Sequence, residues 1–255
     1  MENKKKEKTK IDIILPNYNS SQFIDETINS ILRQSYKNWK LIIVDDFSDE
    51  KTKDKLKKFS KYSKIKVHFM NKNRGAGFCR NLAINRSKST YLAFIDSDDV
   101  WKKNKLKNQI KFMKKNNYQF SYTNFETFGL KKKRVKNPSK LNYSSFLRNT
   151  SIATSTMVIK RKVLGNIKFT KTKICEDYYF KCRLLKKVKF AYCLNQYLTK
   201  YRIRKNSLQS NNLRNFYWIW KINKEFNKLN FLSNFISLFN ISVNSLKKYG
   251  GKNIF

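Results

Sequence analysis

The 255-residue chain carries 57 Lys and Arg against 17 Asp and Glu, a net charge of +40, with 40% apolar and 15% aromatic residues. That apolar share supports a packed core and excludes a globally disordered chain, and the length suits one large α/β domain with or without a helical tail. A single histidine (His68) and four cysteines (Cys79, Cys175, Cys182, Cys193) without CxxC spacing exclude an ordinary zinc site and a disulfide framework, which suits a reducing cytosol.

Residues 1–10 form a polar, Lys-rich arm, and the first apolar run, Ile11–Leu15, is far too short to span a bilayer. It reads as a buried strand ended by Pro16. Asn19 or Ser20 can cap a helix whose apolar stripe is Phe23, Ile24, Thr27, Ile28, Ile31 and Leu32. Trp39–Val44, apolar except for Lys40, predicts a strand covered on both faces. Asp45 and Asp46 follow, then a charged helix over 49–62, a strand over 65–70, the polar loop Asn71–Gly77, a helix over 78–87 and a strand over 91–95. The β-α-β-α-β-α-β order implies an α/β sheet with parallel neighbours and right-handed crossovers. Ligands of such sheets bind beyond the carboxyl ends of the strands. Asn17–Asn19, Asp45-Asp46, Asn71–Gly77 and Asp96–Asp99 all fall there.

The second half predicts a helix over 105–116, a strand over 119–128, a basic loop over 131–136, a short strand over 156–160 and a helix from about Glu176. Two further strands are expected over 189–193 and 196–204, and from about Ser210 two aromatic-rich helices joined near Asn230. Only Glu126, Glu176, Asp177 and Glu225 are acidic after Asp99, whereas three aspartates crowd into Asp96-Ser97-Asp98-Asp99. Clustered carboxylates in so basic a chain ask for a cation or a proton to handle. Mg²⁺ or Mn²⁺ keeps several waters and takes only one or two protein carboxylates, and an Asp-x-Asp after a buried strand supplies them. The plainer alternative for these aspartates, and for Asp45 and Asp46, is helix capping. For Glu176-Asp177 it is a helix-start carboxylate pair.

Pro16-Asn17-Tyr18-Asn19, Val44-Asp45-Asp46, the stretch Asn73–Asn81, Asp96-Ser97-Asp98-Asp99 with Trp101, and Glu176-Asp177 together resemble the family 2 glycosyltransferases over residues 11–205. The resemblance implies a GT-A fold, a Rossmann-like α/β/α sandwich with a mostly parallel central sheet, followed here by a helical tail. It divides the chain into the arm 1–10, a transferase domain 11–209 and a tail 210–255. The domain splits into a nucleotide-binding half, 11–100, and an acceptor half, 101–209. It also implies the roles. Asp98 with Asp96 would bind Mn²⁺ or Mg²⁺, and Asp96 would also face the ribose. Pro16, Tyr18, Asn19, Asp45, Asp46, Asn73, Gly75, Arg80 and Arg202 would contact the nucleotide. Asp177 would be the general base of an inverting displacement. Arg204 stands where many members have histidine. Gly75 and Gly77 would allow close backbone approach at a helix N-terminus.

The reaction so implied moves a sugar from a nucleotide-diphosphate donor, UDP rather than GDP or dTDP, to a hydroxyl of a saccharide or lipid-linked saccharide. Its expected setting is bacterial surface-polysaccharide or lipopolysaccharide synthesis, in the cytoplasm or peripheral on the cytoplasmic face of the inner membrane. The positive charge has three readings: nucleic-acid phosphates, an anionic membrane surface, or solvated lysines with no partner. A nucleic-acid binder does not need clustered aspartates, which repel phosphate unless a metal intervenes. Intact Asp96, Asp98 and Asp177 speak against an inactive scaffold. The run Phe231–Val243 is too short and polar to cross a bilayer. Positions 231/232, 235/236, 238/239 and 243 mark one helical face, which packs on the domain or lies on a membrane.

Overall fold

The computed structural model describes residues 9–172, 174–205 and 212–249. Most of the basic arm and the expected 209/210 boundary lie outside them. In chain order the elements begin β1 (Ile11–Asn17), α1 (Ile24–Leu32), β2 (Trp39–Asp45), α2 (Glu50–Ser60), β3 (Ile65–Phe69), α3 (Ala76–Arg86) and β4 (Tyr91–Phe94). They continue with β5 (Val100–Trp101), α4 (Lys105–Lys115), β6 (Phe120–Gly129), β7 (Lys133–Val135), β8 (Lys140–Leu141), α5 (Tyr143–Leu147), β9 (Val158–Lys160) and α6 (Glu176–Val188). The chain closes with β10 (Ala191–Ile203), α7 (Asn212–Glu225) and α8 (Phe231–Tyr249).

Within the described residues one sheet runs in the order β3-β2-β1-β4-β9-β6-β10-β5, with β7 on β6 and β8 on β10. The β-α-β units give the parallel pairs β2/β3, β1/β2 and β1/β4. β6 and β10 are also parallel, while β9 joins the two halves antiparallel to both β4 and β6. The period of two along each strand sorts the apolar residues onto two faces. Ile11, Ile13, Leu15, Leu41, Ile43, Ala93 and Ile95 pack with Ile24, Ile28, Leu106 and Ile110, on the side of α1 and α4. Ile14, Ile42, Val44, Leu92 and Phe94 pack with Cys79, Ala83, Phe180 and Leu184, on the side of α3 and α6. A central sheet with helices on both faces results, the α/β/α arrangement expected.

Three local expectations change. Pro16 does not end β1, whose pairing with β2 continues through Pro16↔Val44 to Asn17↔Asp45. The Asn17 carbonyl accepts from Asp46 N on the β2 side, so by alternation Pro16 faces the opposite side, where the β4 pairing has stopped at Ile14↔Phe94. On that side Ile14 O accepts Ile95 N, and Pro16, which has no N–H to donate next, falls where the β4 ladder ends while the β2 ladder continues. The two strands expected over 189–204 are one, β10, with register shifts at Leu194/Tyr197 and Tyr197/Thr199; the bulges break the alternation that a sequence reading follows. Finally, no side chain caps α1: Ser20 instead receives Phe23 N and Ile24 N on its carbonyl, and Asn19 has φ 43°.

Candidate active site

The strand ends gather the expected polar residues on one edge of the sheet. Asp45 is fully buried at the end of β2. Its Oδ1 accepts Asn17 Nδ2 at 2.7 Å and Ser48 Oγ at 2.5 Å, and its Oδ2 accepts Ser48 N at 3.1 Å. Ser48 Oγ in turn accepts Asn19 N at 2.9 Å, which ties the β1 and β2 loops together. Tyr18 and Phe47, next to this tie, are both about half exposed, at 53% and 51%. Tyr18 offers an exposed ring at this rim, whereas Lys53 Nζ lies over the Phe47 ring, 5.5 Å from its centroid; Phe47 is announced in the sequence only as an apolar residue directly after the aspartate pair.

Asp46 spans to the next loop. Its two carboxylate oxygens accept Arg74 N and Gly75 N, each at 2.7 Å, while its carbonyl accepts Asn73 Nδ2 at 3.2 Å. Gly75 has φ 86° and is the one position in this loop where glycine's freedom is required. The helix-cap alternative for Asp45 and Asp46 fails, because α2 is capped by Asp49, which accepts Thr52 N at 2.8 Å. Both aspartates act as clasps that shape the loop edge. Gly77 also differs from expectation. A Cβ there would lie 2.8 Å from Glu176 Cγ and 2.9 Å from the Thr170 carbonyl, so its close approach is to the start of α6.

Arg80 lies buried at the centre. The sequence reading directed it to the nucleotide; the structure sets it between two carboxylates, with Nη2 2.6 Å from Asp96 Oδ1 and Nη1 2.5 Å from Glu176 Oε1. Burial works against its charge, but Asp96 and Glu176 outweigh it and hold the guanidinium protonated. Burial raises Glu176 above the usual carboxylate range, with Arg80 opposing. This bridge joins residues 96 positions apart. It brings the Asp-x-Asp turn and the Glu-Asp pair to one place.

Neither Asp98 nor Asp99 caps a helix: β5 follows them, and α4 starts only at Lys105. Asp98 Oδ2 pairs with Arg204 Nε at 2.8 Å. Burial pushes the Asp98 carboxyl up, Arg204 pulls it back and Asp96 adds to the rise. Asp99 is buried and pushed well above the usual range, first by burial and then by Asp98 and Asp96. Its Oδ1 accepts Arg202 N at 2.9 Å. The Arg202 side chain donates to the Asp98 carbonyl at 2.8 Å, pairs with Glu26 and packs against Phe23 and Phe128. Arg202 thus fastens β10 to the aspartate turn, a different task from the nucleotide contact expected of it. Arg204, half exposed beside Asp98, is the better placed of the two to meet an anion.

Asp177 lies in the first turn of α6. Its Oδ2 accepts Thr154 Oγ1 at 2.7 Å and Lys181 Nζ at 2.5 Å. Burial pushes this carboxyl up, but the Lys181 charge and these hydrogen bonds outweigh it and hold Asp177 well below the usual range. Lys181 is itself buried, one turn along the same helix. Its i,i+4 spacing from Asp177 was readable in the sequence; Thr154, in an irregular Ser/Thr segment, had no local signal.

Among the described residues no group of three or more His, Cys, Asp or Glu could enclose a metal ion. The donor set that does exist is two carboxylates one residue apart, Asp96 and Asp98, each sharing one oxygen with an arginine. That suits a hard cation that completes its shell with phosphate oxygens and water, as Mg²⁺ or Mn²⁺ does.

Residues 12–190 match the family described as Glycosyl transferase family 2. The chain is a family 2 glycosyltransferase. It is 34% identical over 243 residues to the putative teichuronic acid biosynthesis glycosyltransferase TuaG of Bacillus subtilis, covering 93% of this chain and 96% of that one. It is also 34% identical over 242 residues to the Escherichia coli UDP-Glc:α-D-GlcNAc-diphosphoundecaprenol β-1,3-glucosyltransferase WfgD, covering 94% of each. The fold is similar to that of S. aureus TarS in complex with UDP-GlcNAc, with TM-score 0.73 and 20% identity over 93% of this chain and 73% of that one. It is similar too to the mannosyltransferase PcManGT of Pyrobaculum calidifontis in complex with GDP-Man and Mn²⁺, with TM-score 0.71 and 14% identity over 96% and 77%. The GT-A reading of the glycosyltransferase's fold therefore holds, and the family match and these relatives make the chain an enzyme.

Proposed function

We propose that this glycosyltransferase moves a sugar from a UDP-sugar to a hydroxyl of a lipid-linked saccharide, with inversion, in the synthesis of a cell-surface glycan at the cytoplasmic face of the membrane. The observation that carries the reading is the Asp96–Arg80–Glu176 bridge, which sets the Asp-x-Asp turn beside Asp177. Residues 11–100 supply the donor side and 101–209 the acceptor side. The E. coli relative named for a UDP-Glc donor and a diphosphoundecaprenol-linked acceptor, with 94% coverage, supports the substrate class.

On the donor side, Tyr18 offers its exposed face to the base, and Asp45, Asp46, Asn73 and Gly75 keep the pocket's loops in place. Pro16 and Asn19 set the path of the first loop. Asp98 and Asp96 would hold Mn²⁺ or Mg²⁺, which when bound offsets charge on the leaving diphosphate. Arg204 adds a cation beside Asp98 for the same phosphates. On the acceptor side, Asp177 Oδ1 or Oδ2 takes the proton of the attacking hydroxyl. Thr154 and Lys181 fix the carboxylate in one orientation and keep it deprotonated. Attack from the face opposite the diphosphate inverts the anomeric carbon.

The test is a panel of nucleotide sugars with a GlcNAc-diphospho-lipid acceptor, followed by release of free nucleotide with and without Mn²⁺ or Mg²⁺. UDP release from one or two UDP-sugars, lost on chelation with EDTA, is the expected result. Turnover only with GDP- or dTDP-sugars, or turnover indifferent to EDTA, would contradict the donor or the metal assignment respectively.

A further inference from the structure

The C-terminal hairpin packs on the domain and still leaves an apolar stripe outside. α7 and α8 pack together, with the Trp220 and Phe231 rings 5.4 Å apart. The side of α8 turned toward the domain mixes polar and apolar residues: Asn234, Ser237 and Ile241 are 1%, 2% and 6% exposed, and Leu238 packs against the core beside them. Ser237 Oγ donates to the Leu147 carbonyl at 2.6 Å, and Asn234 Nδ2 donates to the Trp220 carbonyl at 3.0 Å. Asn223 of α7 donates to Asn234 and accepts from Tyr178, the residue after Asp177. The polar residues thus spend their hydrogen bonds inward, and the hairpin is anchored beside the acceptor-side carboxylate.

Ile219, Ile222 and Ile241 pack inward, but a second apolar set faces outward. Phe231, Leu232, Phe235 and Phe239 are 75%, 65%, 57% and 62% exposed, at helical spacing along one stripe. A surface helix of a soluble protein carries polar residues on that outer face. A contiguous aromatic stripe of this kind marks an interaction surface. The sequence contains no Asp or Glu after Glu225, and Lys224 and Lys228 are exposed at the hairpin turn. A second copy of the chain would bring another +40 charge against this one with no acidic residue on α8 to pair with it. An anionic surface complements both features. Among the described residues no helix is long and apolar enough to cross a membrane.

We propose that the Phe231–Phe239 stripe of α8 lies flat in the headgroup–acyl boundary of an anionic lipid leaflet, with the lysines of the turn on the headgroups. This places the Tyr178 side of the active site toward the lipid. It extends the lipid-linked-acceptor reading above, but its test does not depend on turnover.

The test is sedimentation of the full chain with vesicles of phosphatidylcholine alone or mixed equally with phosphatidylglycerol, at low and physiological salt. The wild type is expected to pellet with the mixed vesicles. F235Q/F239Q, which alters only outward side chains and no charge, is expected to bind them about tenfold more weakly or worse, with its melting temperature and UDP affinity retained. Equal binding by the two proteins would assign the effect to general positive charge and overturn the stripe. A wild type that stays in the supernatant would also overturn it. A lipid-free dimer by light scattering that becomes a monomer in F235Q/F239Q would make a second copy the occupant instead. Failure of the catalytic reading would show in nucleotide release, not in the pellet.

Discussion

Asp177→Asn is expected to lower sugar transfer by roughly 10²–10⁴-fold while UDP affinity stays near that of the wild type. In the proposed reading Asp177 serves the acceptor, so the donor keeps its contacts. The substitution has a second consequence, because Lys181 is buried against Asp177 Oδ2 at 2.5 Å. Removing one partner of a buried ion pair leaves an uncompensated charge and costs about 3–5 kcal/mol, so the melting temperature should fall as well. Asp177→Asn/Lys181→Met removes both charges, and should recover most of the stability without recovering turnover. Recovery of turnover in the double variant would show that the single variant had failed through folding. Lys181→Met alone should leave burial opposed only by the Arg80 charge and the Thr154 hydrogen bond, and so raise the Asp177 pKa. The acid limb of kcat/KM should then move to higher pH. The stability contribution has the matching sign: a carboxyl held below its unfolded value of about 3.9 stabilises above that pH and loses its contribution as the pH falls further.

Asp98→Asn is expected to weaken metal-dependent UDP binding at least about 100-fold, since it removes a charged ligand and keeps the shape. Calorimetry with UDP, in Mn²⁺ and in EDTA, reads this directly. The fold should tolerate the change, because the Asp98 partner Arg204 has a 41% exposed side chain and an ion pair of that kind contributes little. Asp96→Asn provides the contrast. It leaves Arg80, whose side chain is only 7% exposed, with Glu176 alone, and should lower both the melting temperature and the affinity. Unchanged metal-dependent affinity in Asp98→Asn would remove Asp98 from the cation site.

The first hundred residues were legible because each strand is a short apolar run and each strand end carries a polar cluster. The parallel sheet of this half followed from that alternation, and so did the edge that carries Asp45, Asp46, Asn73 and Asp96; the order β3-β2-β1-β4 did not. What lay beyond reach was pairing across long separations. Arg80 was directed to a ligand because nothing near it in the chain announces Glu176. The contacts of Arg202 were out of reach for the same reason, since its partners Glu26, Phe23 and Asp98 lie more than a hundred residues earlier in the chain. β10 was split in two because its bulges interrupt the period of two. The tail shows a third kind of limit. Its apolar stripe was plain in the sequence, but periodicity locates a stripe without saying which way it faces, and only the buried bonds of Asn234 and Ser237 turn it outward.

The most direct measurement is the anomeric configuration of the transferred sugar, read from the ¹H coupling constant of the purified product made from an α-linked UDP-sugar. A single displacement with Asp177 as base should give a β-linked product alone. An α-linked product would require retention, and would contradict the assignment of Asp177 as the base of an in-line attack.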